Sequence, residues 1–139
     1  MPMRHRFTPL LGLLLLFCAS CESPNYKPPG AAPALAEDIW KEHVHMSQAA
    51  WQTVRVLGVR ETRKNNLLQV QIDLKSKIGR RRGLRTRFEW FDGSGFKLDG
   101  PNESWMNQLI LAEEEFSLGA IATNPKAQSW RLNVEIWSR

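Results

Sequence analysis

The chain has 139 residues, of which 42% are hydrophobic and 24% are charged, and its formal net charge is +5. This length allows one domain once a targeting segment is removed, and the composition is typical of a folded domain rather than a disordered chain. The positive excess is too small to predict nucleic-acid binding, so we expect no nucleic-acid partner.

The first twenty residues are typical of an export signal. A short positive region, an apolar run and two small residues precede a cysteine: Arg4–Arg6, Leu10–Phe17, Ala19–Ser20 and Cys21. The apolar run is far shorter than the ~20 residues that span a bilayer. Small residues directly before a cysteine resemble the bacterial lipobox, where the cysteine is diacylated, although Cys18 stands where Leu is usual.

The alternative is an ordinary secretory signal cut at the same place. Cleavage before Cys21 would remove Cys18, so the mature chain would hold one cysteine, at its first residue, and could form no disulfide. Lipid attachment best explains such a thiol, so we expect residues 1–20 to be a lipoprotein signal peptide. Glu22 follows the cysteine. Without an Asp there to indicate inner-membrane retention, the sequence favours a periplasmic protein held at the outer membrane of a Gram-negative cell.

A tether and a domain are predicted after the signal. Residues 21–36 hold the lipidated cysteine and a Pro/Ala-rich segment that we expect to be extended, and residues 37–139 form the folded domain. The start of the domain is ambiguous. Ile39, His43 and Met46 lie at helical spacing, whereas the stretch 43–46 also fits a short strand.

After this region, hydrophobic and polar residues alternate with a period of two. The residues predicted to face inward are Val54 and Val56; Leu68, Val70, Ile72 and Leu74; Leu84, Thr86, Phe88 and Trp90; and Trp130, Leu132, Val134 and Ile136. Residues 105–111 and 114–121 are two further candidate strands. About seven short strands with no long amphipathic helix between them predict an all-β, antiparallel β-sandwich.

The stretch RFEWFDGSGF, residues 87–96, is predicted to be a hairpin corner. The strand ends at Phe91, and the Asp-Gly-Ser-Gly run that follows tolerates the positive φ of a chain reversal. Phe96 and Leu98 then begin the returning strand. The Gly-Ser-Gly piece lacks the flanking spacing of a hydrolase nucleophile elbow, so a catalytic loop is not favoured.

Three segments, residues 54–77, 87–96 and 122–137, resemble the YcfL-like predicted periplasmic lipoproteins of Gram-negative bacteria. The most specific pieces are the aromatic run with Trp90, Asp92 and Gly95, and the Asn124–Pro125 pair before the last strand. The likeness covers about residues 43–137. It implies an immunoglobulin-like β-sandwich and a lipid-anchored protein without known catalysis, with partners near envelope and peptidoglycan-synthesis functions. Residues 76–84 depart from the family pattern in their basic turn.

Five arginines predict a basic edge: Arg80, Arg81, Arg82, Arg85 and Arg87. Solvated charges that discourage edge-to-edge sheet pairing are the favoured explanation. Contact of Arg80, Arg81, Arg82 and Arg85 with anionic lipid or glycan is the alternative. The acidic run Glu113–Glu115 is predicted to be a hairpin turn, opposite the basic loop.

His43 and His45 would share one face of a strand, but no cysteine or carboxylate cluster accompanies them. We therefore expect no metal, no cofactor and no enzymatic activity. Of six tryptophans, Trp90 and Trp130 are predicted to be core. A group of exposed tryptophans would mark a partner or carbohydrate surface.

These patterns together predict a membrane-anchored accessory module that binds an unidentified envelope protein. The alternative is a peptidoglycan- or glycan-binding domain that uses the basic loop and exposed tryptophans.

Overall fold

The computed structural model describes residues 32–101 and 103–137, which form a two-sheet β-sandwich. In chain order the elements are α1 (Glu37–Lys41), β1 (Val44–Met46), α2 (Gln48–Thr53), β2 (Val54–Lys64), β3 (Leu67–Ser76), β4 (Arg82–Phe91), β5 (Lys97–Leu98), β6 (Met106–Ile110), β7 (Glu115–Ile121) and β8 (Ser129–Trp137). The predicted all-β sandwich is confirmed.

The larger sheet is built around β4. Strand β8 pairs with one side of β4 over nearly its whole length, and β5 and β6 pair with the two ends of its other side. The three-residue β1 adds to β8 in parallel. The smaller sheet has the order β2-β3-β7 and is antiparallel throughout.

Strand alternation sends the predicted residues into the space between the sheets. Leu68, Val70, Ile72 and Leu74 are buried, as are their counterparts on β4 and β8. The exception is Ile136 near the end of β8, which is partly buried and packs against the core. Val56 is only half-buried because a bulge at Leu57 shifts the register of β2, and Val59 resumes the inward position.

The ambiguous region at the start of the domain contains both predicted structures. Helix α1 buries Trp40, β1 follows at Val44, and Ser47 caps α2 by accepting a hydrogen bond from the Ala50 backbone N–H at 3.2 Å. Before α1, Ala34 pairs with Arg60 of β2, and Leu35 packs against the core. The last residues assigned to the tether therefore lie along the outer edge of β2.

The predicted signal peptide, Cys21 and the predicted tether as far as residue 31 lie outside the described residues. Within the described part of the chain, no helix is long and apolar enough to cross a membrane.

Candidate functional site

The stretch from Arg87 to Phe96 forms the β4–β5 hairpin. The Asp92 carboxylate accepts hydrogen bonds from the backbone N–H groups of Ser94 and Phe96, both at 2.9 Å. Gly95 takes a φ of 83°, a conformation that other residues rarely adopt. Trp90 is buried, whereas Phe96 is 73% exposed and lies before β5 rather than within it. Trp90, Asp92 and Gly95 thus build a structural corner.

The Asn124–Pro125 pair forms the turn that leads into β8. The Asn124 side-chain oxygen accepts from the Lys126 N–H at 2.9 Å, and its carbonyl accepts from the Ala127 N–H at 3.1 Å. Arg63 of β2 donates to the Ala127 carbonyl at 2.5 Å. This turn therefore ties the larger sheet to the β2–β3 hairpin.

The predicted basic edge is wrong, because β4 is paired on both sides and is not an edge strand. Arg80 and Arg81 are exposed in the β3–β4 loop, and Arg82 begins β4. Arg85 lies on the outer face of the larger sheet, where it pairs with Glu135 through its Nε at 2.8 Å. The five arginines therefore divide between a loop and a sheet face.

The predicted hairpin turn at Glu113–Glu115 is also wrong. Strands β6 and β7 belong to different sheets, so the segment between them crosses from one sheet to the other. Glu113 takes a positive φ of 54°, and its N–H donates to the Ile78 carbonyl in the β3–β4 loop at 3.2 Å. The acidic segment thus does contact that loop, through the backbone.

A cluster of cations and aromatic rings covers the outer face of β4. The guanidinium carbons of Arg85 and Arg87 lie 4.8 and 4.7 Å from the ring centroid of Trp105. Arg131 lies 5.0 Å from the ring of Phe91 in the same way. At these distances the ring faces attract the guanidinium groups.

Glu89 lies within this face and is 8% exposed. It pairs with Arg87 at 3.1 Å and accepts a hydrogen bond from the Asn133 amide at 3.0 Å. Burial opposes ionisation, but the Asn133 hydrogen bond and the charges of Arg87 and Lys97 lower the pKa of Glu89 below its ordinary value. A hydrogen bond to Glu103 raises the pKa of Lys97. Strand alternation predicts that Glu89 lies on the outer face of β4. The sequence does not show which side chains of the neighbouring strand, Arg131 and Asn133, lie close to it there.

One side of the sandwich is open. Strands β6 and β7 each lack a partner on their outer side among the described residues, and Leu111 lies between them. Large apolar side chains are exposed along both strands and the connection: Met106, Leu109, Leu111 and Ile121. We call this side the open edge. Strand β6 carries no charged residue, although charge is a common protection of exposed strands.

A cleft of about 820 Å³ adjoins the open edge. Val70 and Ala120 of the smaller sheet line it together with Phe88 and Met106 of the larger one. Residues of both sheets therefore line the cleft, including exposed side chains of the smaller sheet such as Gln71 and Ile121.

The histidines do not share a strand face. His43 precedes β1, stacks on Trp130 at 4.8 Å and donates from Nδ1 to the Trp130 carbonyl at 2.8 Å. His45 is exposed. In residues 32–101 and 103–137, no group of three or more His, Cys, Asp or Glu side chains could hold a metal ion.

Comparison with known proteins identifies the domain. A family model described as a protein of unknown function, DUF1425, matches residues 41–136. The chain belongs to the DUF1425 family. No curated protein sequence gives a significant match.

Two solved structures resemble this DUF1425 domain. Cj0090 of Campylobacter jejuni is 23% identical, with a TM-score of 0.60 over 68% of this chain and 97% of that chain. A DUF1425 family member from Shewanella is 22% identical, with a TM-score of 0.54 over 58% of this chain and 75% of that chain. At these identities the likeness establishes a shared fold.

Proposed function

We propose that this DUF1425 protein is a lipid-anchored, non-catalytic binding module of the Gram-negative cell envelope, of the YcfL-like periplasmic lipoprotein type. Three features of the sequence support the anchor: the apolar run, the small residues before Cys21, and the absence of a second cysteine from the predicted mature chain. The acyl groups hold the domain at the periplasmic face of the outer membrane. The domain then presents a surface to an envelope protein.

The open edge is the observation that supports protein binding. An unpaired strand offers a row of backbone N–H and C=O groups to another strand, and alternate side chains supply the specificity. Leu109 is 58% exposed at the centre of this edge, on a strand without charge. The partner that fits is an uncharged, extended segment of another envelope protein, such as a component of peptidoglycan synthesis.

A second candidate function, glycan binding, is favoured by the position of Trp51. This tryptophan is 40% exposed, and its carbonyl accepts a hydrogen bond from the Lys77 side chain at the start of the β3–β4 loop. Arg80 and Arg81 are exposed in the same loop. An exposed tryptophan whose backbone contacts a loop that carries cations is a surface that peptidoglycan could contact. Trp105 contributes less to this function because Arg85 and Arg87 already contact its ring.

Photo-cross-linking in living cells tests the main proposal. A photoreactive amino acid at Leu109 is expected to capture a specific envelope protein. At Leu57, which is 46% exposed on β2, the same amino acid is expected to capture little. Leu109→Lys should abolish recovery of that partner by affinity capture, and Leu57→Lys should not. Equal recovery with both variants would contradict binding at the open edge.

The glycan candidate has its own measurement. Co-sedimentation with peptidoglycan sacculi at low salt, lost in Trp51→Ala and in the Arg80→Ala, Arg81→Ala double variant, would favour glycan binding. Absence of sedimentation would exclude it.

A further inference from the structure

Three turns meet at one end of the sandwich. The β2–β3 turn contacts the β7–β8 turn, because Arg63 donates to the Ala127 carbonyl and the Ala122 N–H donates to the Leu68 carbonyl at 2.8 Å. The β7–β8 turn in turn contacts the β4–β5 hairpin. The Gln128 N–H donates to the Phe91 carbonyl at 2.8 Å, and the Gln128 side chain packs against Gly93.

The chain enters the domain at this same end. Residues 34 and 35 run antiparallel to β2, with Ala34 opposite Arg60. Two residues earlier in the chain, Ala32 lines the same cleft as Thr62. Thr62 is two residues from Lys64, the last residue of β2, so the chain from Ala34 back to Ala32 runs toward the β2–β3 turn. We call the end formed by the three turns the tether end, since residues that precede Ala32 must reach the domain here.

The tether end carries an exposed aromatic ring and exposed cations. Phe96, at the tip of the β4–β5 hairpin, is more exposed than any other large hydrophobic residue of the described chain. Arg63, Lys64 and Lys126 are exposed on the two neighbouring turns, and neither residues 62–68 nor residues 122–128 include an acid. Two acids lie nearby. Asp92 is half-buried and accepts backbone hydrogen bonds, and Asp99 is exposed.

The other basic loop lies at the opposite end. Strand β3 runs from Leu67 at the tether end to Ser76, and its ten residues span about 30 Å at ~3.3 Å per residue. Arg80 and Arg81 follow at the far end. Ten residues lie between Cys21 and Ala32, so the eleven steps from Cys21 to Ala32 extend to about 34 Å at ~3.1 Å per residue. The tether end can therefore lie at the anchoring membrane whether or not the tether is extended, whereas the far end could do so only if the tether were almost fully extended along the domain.

We propose that the tether end rests on the anionic lipid surface in which the chain is anchored. Phe96 enters the interface between headgroups and acyl chains, and Lys64 and Lys126 contact lipid phosphates. Exposed aromatic rings and lysines are the side chains that favour this interface. The inference rests on the proposed anchor at Cys21 and adds an orientation to it.

Fluorescence of the lipidated chain in vesicles tests this orientation. Once Cys21 is acylated, Ser94→Cys introduces a single free thiol at the tip of the β4–β5 hairpin, where an environment-sensitive dye can be attached. Ala112→Cys places the same dye in the β6–β7 connection at the far end. In vesicles that contain phosphatidylglycerol, we expect a blue shift and quenching by spin-labelled lipid at position 94 and solvent-like emission at position 112.

Matched variants identify the responsible side chains. Phe96→Ser should abolish the blue shift of the dye at position 94, whereas Leu111→Ser, at another exposed apolar position, should leave it unchanged. Lys64→Glu with Lys126→Glu should weaken it, and Arg80→Glu with Arg81→Glu should not. Solvent-like emission at both positions, or a shift confined to position 112, would overturn the inference.

The mass of the purified chain separates the two proposals. An acylated chain without a shift at position 94 refutes the contact and leaves the anchor intact. An unacylated chain refutes the anchor. Because its Cys21 thiol would also take the dye, the Cys21→Ser, Ser94→Cys variant is then added to the same vesicles, where a blue shift supports the contact and its absence refutes it.

Discussion

Glu89 is a carboxylate that the fold keeps ionised on a sheet face. Its pKa is lowered in the folded chain, so the folded state binds the proton less readily than the unfolded chain does. The resulting stabilisation is complete above the ordinary value of 4.5 and is lost as the pH falls through the lowered value. Asp73 acts in the same direction. Burial raises the pKa of Asp73, but hydrogen bonds from Ser117 and Gln71 and the charge of Arg60 lower it by more, so the net shift is downward.

Glu89→Gln is therefore expected to reduce the loss of stability on acidification. The variant should unfold at a lower urea concentration than the parent at pH 7, because Arg87 and Lys97 lose their counter-charge, and the difference should narrow by pH 3. Glu115→Gln is the control, because Glu115 forms an exposed pair with Lys75. This variant should unfold at nearly the same urea concentration as the parent at both pH 7 and pH 3. A difference for Glu89→Gln that stays constant with pH would contradict the lowered pKa.

At the scale of elements, the β4–β5 hairpin depends on one backbone conformation. Gly95 has a φ of 83° with open space where a Cβ would lie, so backbone strain rather than a clash opposes substitution. Gly79 also has open space, but it lacks a positive φ.

Gly95→Ala is expected to lower the free energy of unfolding by about 1–2 kcal/mol, the usual penalty for an L-residue in the left-handed region. Gly79→Ala should be neutral or slightly stabilising because it restricts only the unfolded chain. Chemical denaturation of both variants measures the difference. Equal effects would show that the hairpin tolerates a different turn.

The inward residues of β3, β4 and β8 could be predicted from the sequence because burial of one face imposes a period of two. The sequence did not allow us to predict which strands pair with each other. Alternation gave β4 a charged face but did not show that β8 and β6 cover its two sides. The acidic run Glu113–Glu115 predicted a hairpin turn and did not show that this segment crosses from one sheet to the other. The edge position of Leu109 became visible only with the pairing of β6.

At the scale of the whole molecule, the two proposed surfaces are compatible. The strands run from the tether end to the far end, so the open edge lies along the side of the sandwich. A domain that rests on lipid through Phe96 would still present Leu109 to a partner beside it. The basic loop at Arg80 and Arg81 would then face away from the membrane.

Both proposals take the domain to be anchored at Cys21, and the intact mass of the chain purified from its membrane is the measurement that tests this anchor. We expect a mature chain that begins at Cys21 and carries added acyl mass, and a Cys21→Ser variant that lacks this mass and is released from the membrane. A mature chain that begins at Cys21 without acyl groups, or one that retains residues 1–20, would contradict it.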